Sequence, residues 1–187
     1  VAVVFSVVEL PKRKAQTFTS LAQNCVNITA SMDQEIDKLN TFALNTAYST
    51  LVRDRFTGYL SKGDNTYAQQ EDARILGDIL TALIQPNRTV DQLNLYTNDG
   101  QVVSSGQING QRSSLAESQI WYQDVTADPH HKALIYAGED PLLSKYFTNT
   151  YSKHFVAYAM RLYDNFNNAQ GYIEIKKSLS SVLSAAI

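Results

Sequence analysis

The chain has 187 residues, of which 44% are hydrophobic and 18% charged, with a net charge of −2. That length and composition exclude disorder and suit one substantial core, or one core with a helical arm. The near-neutral charge excludes nucleic acid as a partner, because no element carries a basic stripe and Lys12-Arg13-Lys14 is too short to act as one. The single cysteine, Cys25, excludes an intrachain disulfide and a cysteine-based metal cluster, and reads as a small buried hydrophobe.

The first segment, Val1–Leu10, is an apolar run interrupted by Glu9. It is shorter than the roughly 20 residues that a membrane-crossing helix needs. It reads either as the edge of a membrane helix or as an ordinary strand or packing segment, with Pro11 separating it from the next element. No small-residue cleavage site comes after it, so a cleavable signal peptide is not expected.

A long amphipathic helix is predicted from Thr17 to about Leu60. Phe18, Ala22, Cys25, Thr29, Met32, Ile36, Leu39, Ala43 and Thr46 succeed one another in alternating steps of four and three, the seam of a helix that packs along one line. The cluster Ser61-Lys62-Gly63-Asp64-Asn65 stops it. A second helix, Glu71–Ile84, places Ile75, Leu76, Ile79, Leu80 and Leu83 on one face.

From Val90 onward the pattern turns to strands. VDQLNLYT alternates Leu93 and Leu95 with Asn94 and Tyr96, Asn98-Asp99-Gly100 marks a hairpin, and QVVSS returns. Ser113–Asp124 reads as a helix ending in Trp121-Tyr122, and Leu134–Gly138 as a third strand. A fourth strand, His154–Tyr163, meets the turn Asn165–Gln170, and Gly171–Lys176 is a fifth. A terminal helix runs over 177–187. The expected fold is α+β, with a long N-terminal helix packed on a five-stranded antiparallel sheet. The expected organisation is a linker (1–16), a helical arm (17–89), a sheet module (90–176) and the terminal helix (177–187). A β-rich module held between an entering and a leaving helix suits transmission of a displacement.

The last hairpin is the richest local signal. Phe155, Ala157, Ala159, Arg161 and Tyr163 share one face, with Val156, Tyr158, Met160 and Leu162 on the other; Ile173 and Ile175 oppose Tyr172, Glu174 and Lys176. The faces bearing Met160, Leu162, Ile173 and Ile175 are the natural seat of the long helix. On the other side two readings of Arg161 stand. The alanines leave room for it to grip a ligand carboxylate or hydroxyls through its fork of donors. Alternatively, pairing of Tyr163 with Tyr172 sets Arg161 against Glu174 as a cross-strand ion pair. A site holding both charges suits a polar ligand that is neutral overall. Trp121 and Tyr122, being adjacent, cannot both bury against one surface, so one ring is expected over the sheet.

Catalytic and metal patterns are missing from the sequence. His130 and His131 diverge, His154 is distant, and there is no HExxH, EF-hand loop or CxxC. Asp33 and Asp37 lie one helical turn apart on a face that reads as solvated. There is no GxSxG elbow and no P-loop. No enzyme activity, metal or cofactor is expected of this segment.

Strand-NDG-strand, a helix ending in Trp121-Tyr122, a long strand bearing Arg161, and DNFNNAQGYIEI leading into a helix together resemble a Cache domain. Cache domains are the PAS-like extracytoplasmic sensor modules of bacterial histidine kinases and chemoreceptors. The resemblance covers about Thr17 to Ile187. It implies a five-stranded sheet, a small-molecule pocket on the face away from the long helix, a homodimer through that helix, and flanking transmembrane segments. Carried onto this chain, it implies a pocket wall of Trp121 and Tyr122, sheet-side contacts from Tyr96, Tyr136 and Arg161, and an acidic contact at Asp164. The implied ligand is a small polar molecule: a sugar, an amino acid or a carboxylate. The implied whole protein is a sensor histidine kinase or a chemoreceptor; a dimeric module sensing a protein partner is the other reading. Many family members stack two such modules, and only one is evident here.

Overall fold

A computed structural model describes residues 2–61, 66–85, 90–140, 143 and 154–185. Helices α1 (Ala2–Ala47), α2 (Thr50–Ser61) and α3 (Thr66–Ile84) come first. Next are strands β1 (Gln92–Thr97), β2 (Gln101–Gly106) and β3 (Gly110–Ser113), then a 3-10 turn (Ala116–Ser118) and α4 (Tyr122–Ala127). The chain continues with β4 (Lys132–Glu139), β5 (His154–Tyr163), β6 (Ala169–Ser178) and α5 (Leu179–Ser184). The strands form one antiparallel sheet in the order β3-β2-β1-β6-β5-β4. The α+β class and the long helix on the sheet are as expected. The NDG hairpin joins β1 to β2, with Gly100 at φ +88°.

Six strands stand where five were expected. The addition, β3, is four short, mostly exposed residues with no hydrophobic alternation to announce it. Gly106 (φ 129°) and Gly110 (φ 94°) make the tight return before it. Consequently Ser113–Asp124 is not a helix. Leu115 and Gln119 are both extended, which confines helical geometry to a 3-10 turn and then α4, and leaves Trp121 at the N-cap of α4.

The helix boundaries also differ. Helix α1 runs through Pro11, where a strand or a break was expected, because a proline removes only one backbone donor and the turns on either side span it. It stops at Ala47 instead of near Leu60. Ser49 there accepts a hydrogen bond from the Val52 N–H (3.4 Å) and starts α2 afresh as an N-cap. The terminal helix begins at Leu179, because 176–178 complete β6; Ser178 caps it by accepting from the Ser181 N–H at 3.3 Å.

The main core lies between the helices and one face of the sheet. Leu39, Ala43, Leu76 and Leu80 meet Leu93, Leu95, Ile173 and Ile175 there, all 0% exposed. Fully burying each of these leucines and isoleucines is worth about 1.5–3 kcal/mol. The seam of α1 is therefore half used. From Met32 onward it faces the sheet, while Phe18 at its start faces outward, 71% exposed. Cys25 is exposed too, not a buried hydrophobe, because nothing described packs on that stretch. No described helix is long and apolar enough to cross a membrane.

Candidate functional site

The sheet face turned away from α1 carries a small second core of Tyr96, Val102, Trp121, Val125, Ala159 and Tyr172. Beside it opens a cleft of about 340 Å³. Strand alternation delivers the side chains. Asn94, Tyr96, Glu174 and Lys176 are offset by two along β1 and β6, so all project to this side. Arg112 of β3 pairs with Val102 and joins them.

Glu174 is the hub, 1% exposed. Its Oε1 accepts from Trp121 Nε1 at 2.7 Å and from the Lys176 ammonium at 2.9 Å. Its Oε2 accepts from Asn94 Nδ2 (2.8 Å) and the Tyr96 hydroxyl (2.9 Å). Four donors on one carboxylate satisfy the demand that a buried charge be paired. A relay extends the hub across three strands: Arg112 Nη1 donates to Ser104 Oγ (2.7 Å), which donates to Asn94 Oδ1 (2.7 Å). Lys176 also pairs with Asp140 at 2.5 Å, just beyond β4. Burial pulls the Lys176 ammonium down, but Glu174 and Asp140 more than reverse this and hold its pKa above the usual lysine value. Burial, with Glu174 next to it, pushes the Tyr96 hydroxyl well up, so it stays a donor.

The opposite wall is apolar. Phe155 and Ala157 form the floor, and Ile120 reaches over from the segment before α4. A register shift between Ile135 and Gly138 of β4 sets Gly138 beneath that isoleucine. A Cβ on Gly138 would stand 2.7 Å from Ile120 Cδ1, so a larger residue there would push the isoleucine side chain aside. The cleft thus joins two cations, Arg112 and Lys176, and three carboxylates, Glu139, Asp140 and Glu174, to a hydrocarbon wall.

The sequence-predicted residues divide into three groups. Tyr96 lines the cleft, and Trp121 lies under it, fully buried and bonded to Glu174. Tyr122 and Arg161 form a neighbouring cluster around Tyr172. Arg161 Nη2 donates to the Tyr172 hydroxyl at 2.9 Å, and the Tyr122 and Tyr172 rings meet edge-on at 5.5 Å. Tyr136 is 62% exposed on edge strand β4. Asp164 holds the β5–β6 turn, accepting from the Phe166 and Asn168 N–H groups, both at 2.8 Å, and from the Asn168 and Gln170 amides, both at 3.0 Å. Those bonds, from the Asn168 side chain first, keep its carboxyl below the usual range.

The Arg161–Glu174 cross-strand pair, one of the two readings of Arg161, does not occur. A shift between Leu162 and Tyr163 sets Tyr163 opposite Ala169, which places Arg161 opposite Tyr172 and Glu174 opposite Ala159. Sequence reasoning missed Arg112, Asp140 and Lys176 as cleft residues. For Lys176 the signal was present, since Tyr172, Glu174 and Lys176 alternate with Ile173 and Ile175.

No protein-family model matches the chain, nor does any curated protein sequence. Solved structures do. The extracellular domain of a protein described as a histidine kinase superposes with a TM-score of 0.65 at 11% identity, over 90% of this chain and 61% of that one. A domain of a sensory box/GGDEF family protein from Vibrio parahaemolyticus gives 0.60 at 12%, over 91% and 64%. The ligand-binding domain of the Campylobacter jejuni chemoreceptor Tlp3, in complex with L-norvaline, gives 0.57 at 13%, over 90% and 62%. The chain spans under two thirds of the length of each. With a helix-backed antiparallel sheet and a cleft on its far side, this chain has the fold of the Cache-like extracellular sensor domains of histidine kinases and chemoreceptors.

Proposed function

We propose that this chain is the extracytoplasmic ligand-sensing domain of a membrane-anchored receptor, a two-component sensor histidine kinase, and that its signal is a small amino acid. The observation that carries the reading is the composition of the cleft. Lys176 and Arg112 face Glu139, Asp140 and Glu174 within about 340 Å³, next to Ile120, Phe155 and Ala157. That volume falls in the range of small-molecule sites. Both signs of charge with an apolar wall favour a zwitterion with a short hydrocarbon tail over a dicarboxylate or a sugar. The Tlp3 domain, captured with L-norvaline, shares the fold, and the histidine-kinase domain superposes with a higher score than it does. In this reading Tyr96 contacts the ligand, Trp121 holds Glu174 in place, and Tyr122 and Arg161 form the adjoining wall. Binding moves the helices only by favouring one of two arrangements over the other.

A thermal-shift screen of L-amino acids, sugars and carboxylates tests this. An L-amino acid is expected to raise the melting temperature of the parent and to have no effect on Asp140→Asn or Arg112→Met. An amino-acid shift preserved in both variants, or a response only to sugars, sinks the reading.

The outward first half of α1 favours a homodimer through that helix, with Phe18 (71% exposed) on the seam and Leu21 (54%) and Val26 (61%) flanking it. The same seam would serve a dimeric module that senses a protein partner. In sedimentation, Phe18→Glu should convert a dimeric parent to monomer, and a variant sedimenting like the parent counts against the helix contact.

A further inference from the structure

Three consecutive residues at the end of β6 each hold a different part of the molecule. Lys176 turns into the cleft, 7% exposed, between Asp140 at 2.5 Å and Glu174 at 2.9 Å. Lys177 turns to the opposite face, where its ammonium meets Glu35 of α1 at 2.5 Å. Ser178 caps α5, while its own N–H donates to Asp91 Oδ2 at 2.6 Å. Glu35 is the one acidic side chain of α1 that is buried among the described residues, and Lys38 is its second partner at 2.5 Å. The Lys177 and Glu35 side chains are only 12% and 8% exposed, so solvent screens this pair far less than a surface pair.

Adjacent strand residues share one backbone and point to opposite faces. A tilt that moves the Lys176 ammonium therefore moves the Lys177 ammonium as well. Asp140 is the one cleft partner of Lys176 that lies outside the sheet, just past β4. We propose that Lys176-Lys177-Ser178 is a coupling joint: a charged group that competes for Asp140 or Lys176 shifts the end of β6, opens the Lys177–Glu35 clamp on α1, and re-aims α5. That the cleft takes a ligand rests on the function proposed above. The mechanical link between the cleft and α1 does not, and it can be tested without ligand.

The test is hydrogen exchange on the whole chain. Asp140→Asn weakens the hold on Lys176 from the cleft side. Amides of α1 around residues 32–40 should then exchange about threefold faster or more, the response of a locally loosened element. In a Lys177→Met background, where the clamp is already absent, adding Asp140→Asn should change nothing further in α1. Glu71→Gln, which breaks the exposed pair with Arg74 on α3, is the control and should leave α1 at the parent rate. Parent-rate exchange in α1 of Asp140→Asn overturns the joint, and so does an increase of equal size in the Lys177→Met background. If Asp140→Asn loosens β1 and β6 as well, Asp140→Glu, which keeps the charge but displaces it, is read by the same criteria. Calorimetry with L-norvaline on the parent reads the ligand separately: absence of heat counts against the amino-acid reading, while the exchange result alone decides the joint.

Discussion

On the α1 side of the sheet, Leu93, Leu95, Ile173 and Ile175 are wholly buried hydrocarbon. One residue away along the same strands, the far side buries Asn94 and Glu174 at 1% exposure and Lys176 at 6%. The side chains are buried on both faces and are held by different physics. On the first, stability scales with apolar area, and any hydrophobe of the right size serves. On the second, burial by itself is a penalty that must be offset atom by atom, and the four donors on Glu174 do so. The apolar face can thus be rigid without being specific in chemistry. The polar face must be specific in its partners, which leaves it sensitive to any new charged group arriving beside it.

That contrast makes two predictions for equilibrium denaturation in urea. Ile173→Ala, at 0% exposure, should cost the most, about 2–5 kcal/mol, through lost burial and a residual cavity. Glu174→Gln should cost less, about 1–3 kcal/mol, because the amide keeps one acceptor oxygen but turns an NH₂ toward one pair of the donors the carboxylate satisfied. A Glu174→Gln cost above that of Ile173→Ala would make the hub, and not the apolar face, the main support of the sheet. Equal unfolding costs, with unchanged near-ultraviolet signals from Trp121, would sink the idea that the carboxylate holds the indole.

Much of this contrast was legible in the sequence. The alternation in Asn94-Leu95-Tyr96 and in Tyr172–Lys176 assigned every one of those side chains to its observed face, because a period of two leaves no freedom once the core side is known. The partners within the polar face were not legible. Whether Arg161 meets Glu174 or Tyr172 is a two-residue difference of register, set by where the turn closes and by the bulge at Leu162/Tyr163, and no local residue preference encodes it. Asp140 was invisible for a related reason: its proximity to Lys176 depends on how far edge strand β4 extends and where it bulges. Strand β3 carries no hydrophobic residue in Gly110–Ser113, so hydrophobic periodicity had nothing to register there, and Arg112 was missed with it. In α1 the seam was correctly spaced, but spacing could not say that its partner ends near Met32, which is why Cys25 was expected inside and lies outside.

The smallest expected effect separates the two faces by pH. Hydrogen bonds from Lys177, then Lys38, hold the Glu35 carboxyl below the usual glutamate range. A folded-state pKa below the unfolded one means that the clamp adds stability above the unfolded value, and that this is lost as pH falls through the lowered folded value. The melting-temperature gap between the parent and Lys177→Met should therefore be steady near neutrality and close below about pH 4, where glutamates protonate. Lys176 has the opposite sign. Burial lowers its ammonium, Glu174 and Asp140 raise it further, and its net pKa stands above the usual lysine value. Its contribution is complete below the unfolded lysine value and is lost as pH rises through the raised one, so the gap between the parent and Lys176→Met should also narrow in strong alkali, above about pH 10.5. Acid thus tests the Glu35 clamp through its partner's proton, and alkali tests Lys176 through its own. A Lys176→Met gap that begins to close below the usual lysine value would mean that Glu174 and Asp140 do not hold the ammonium charged.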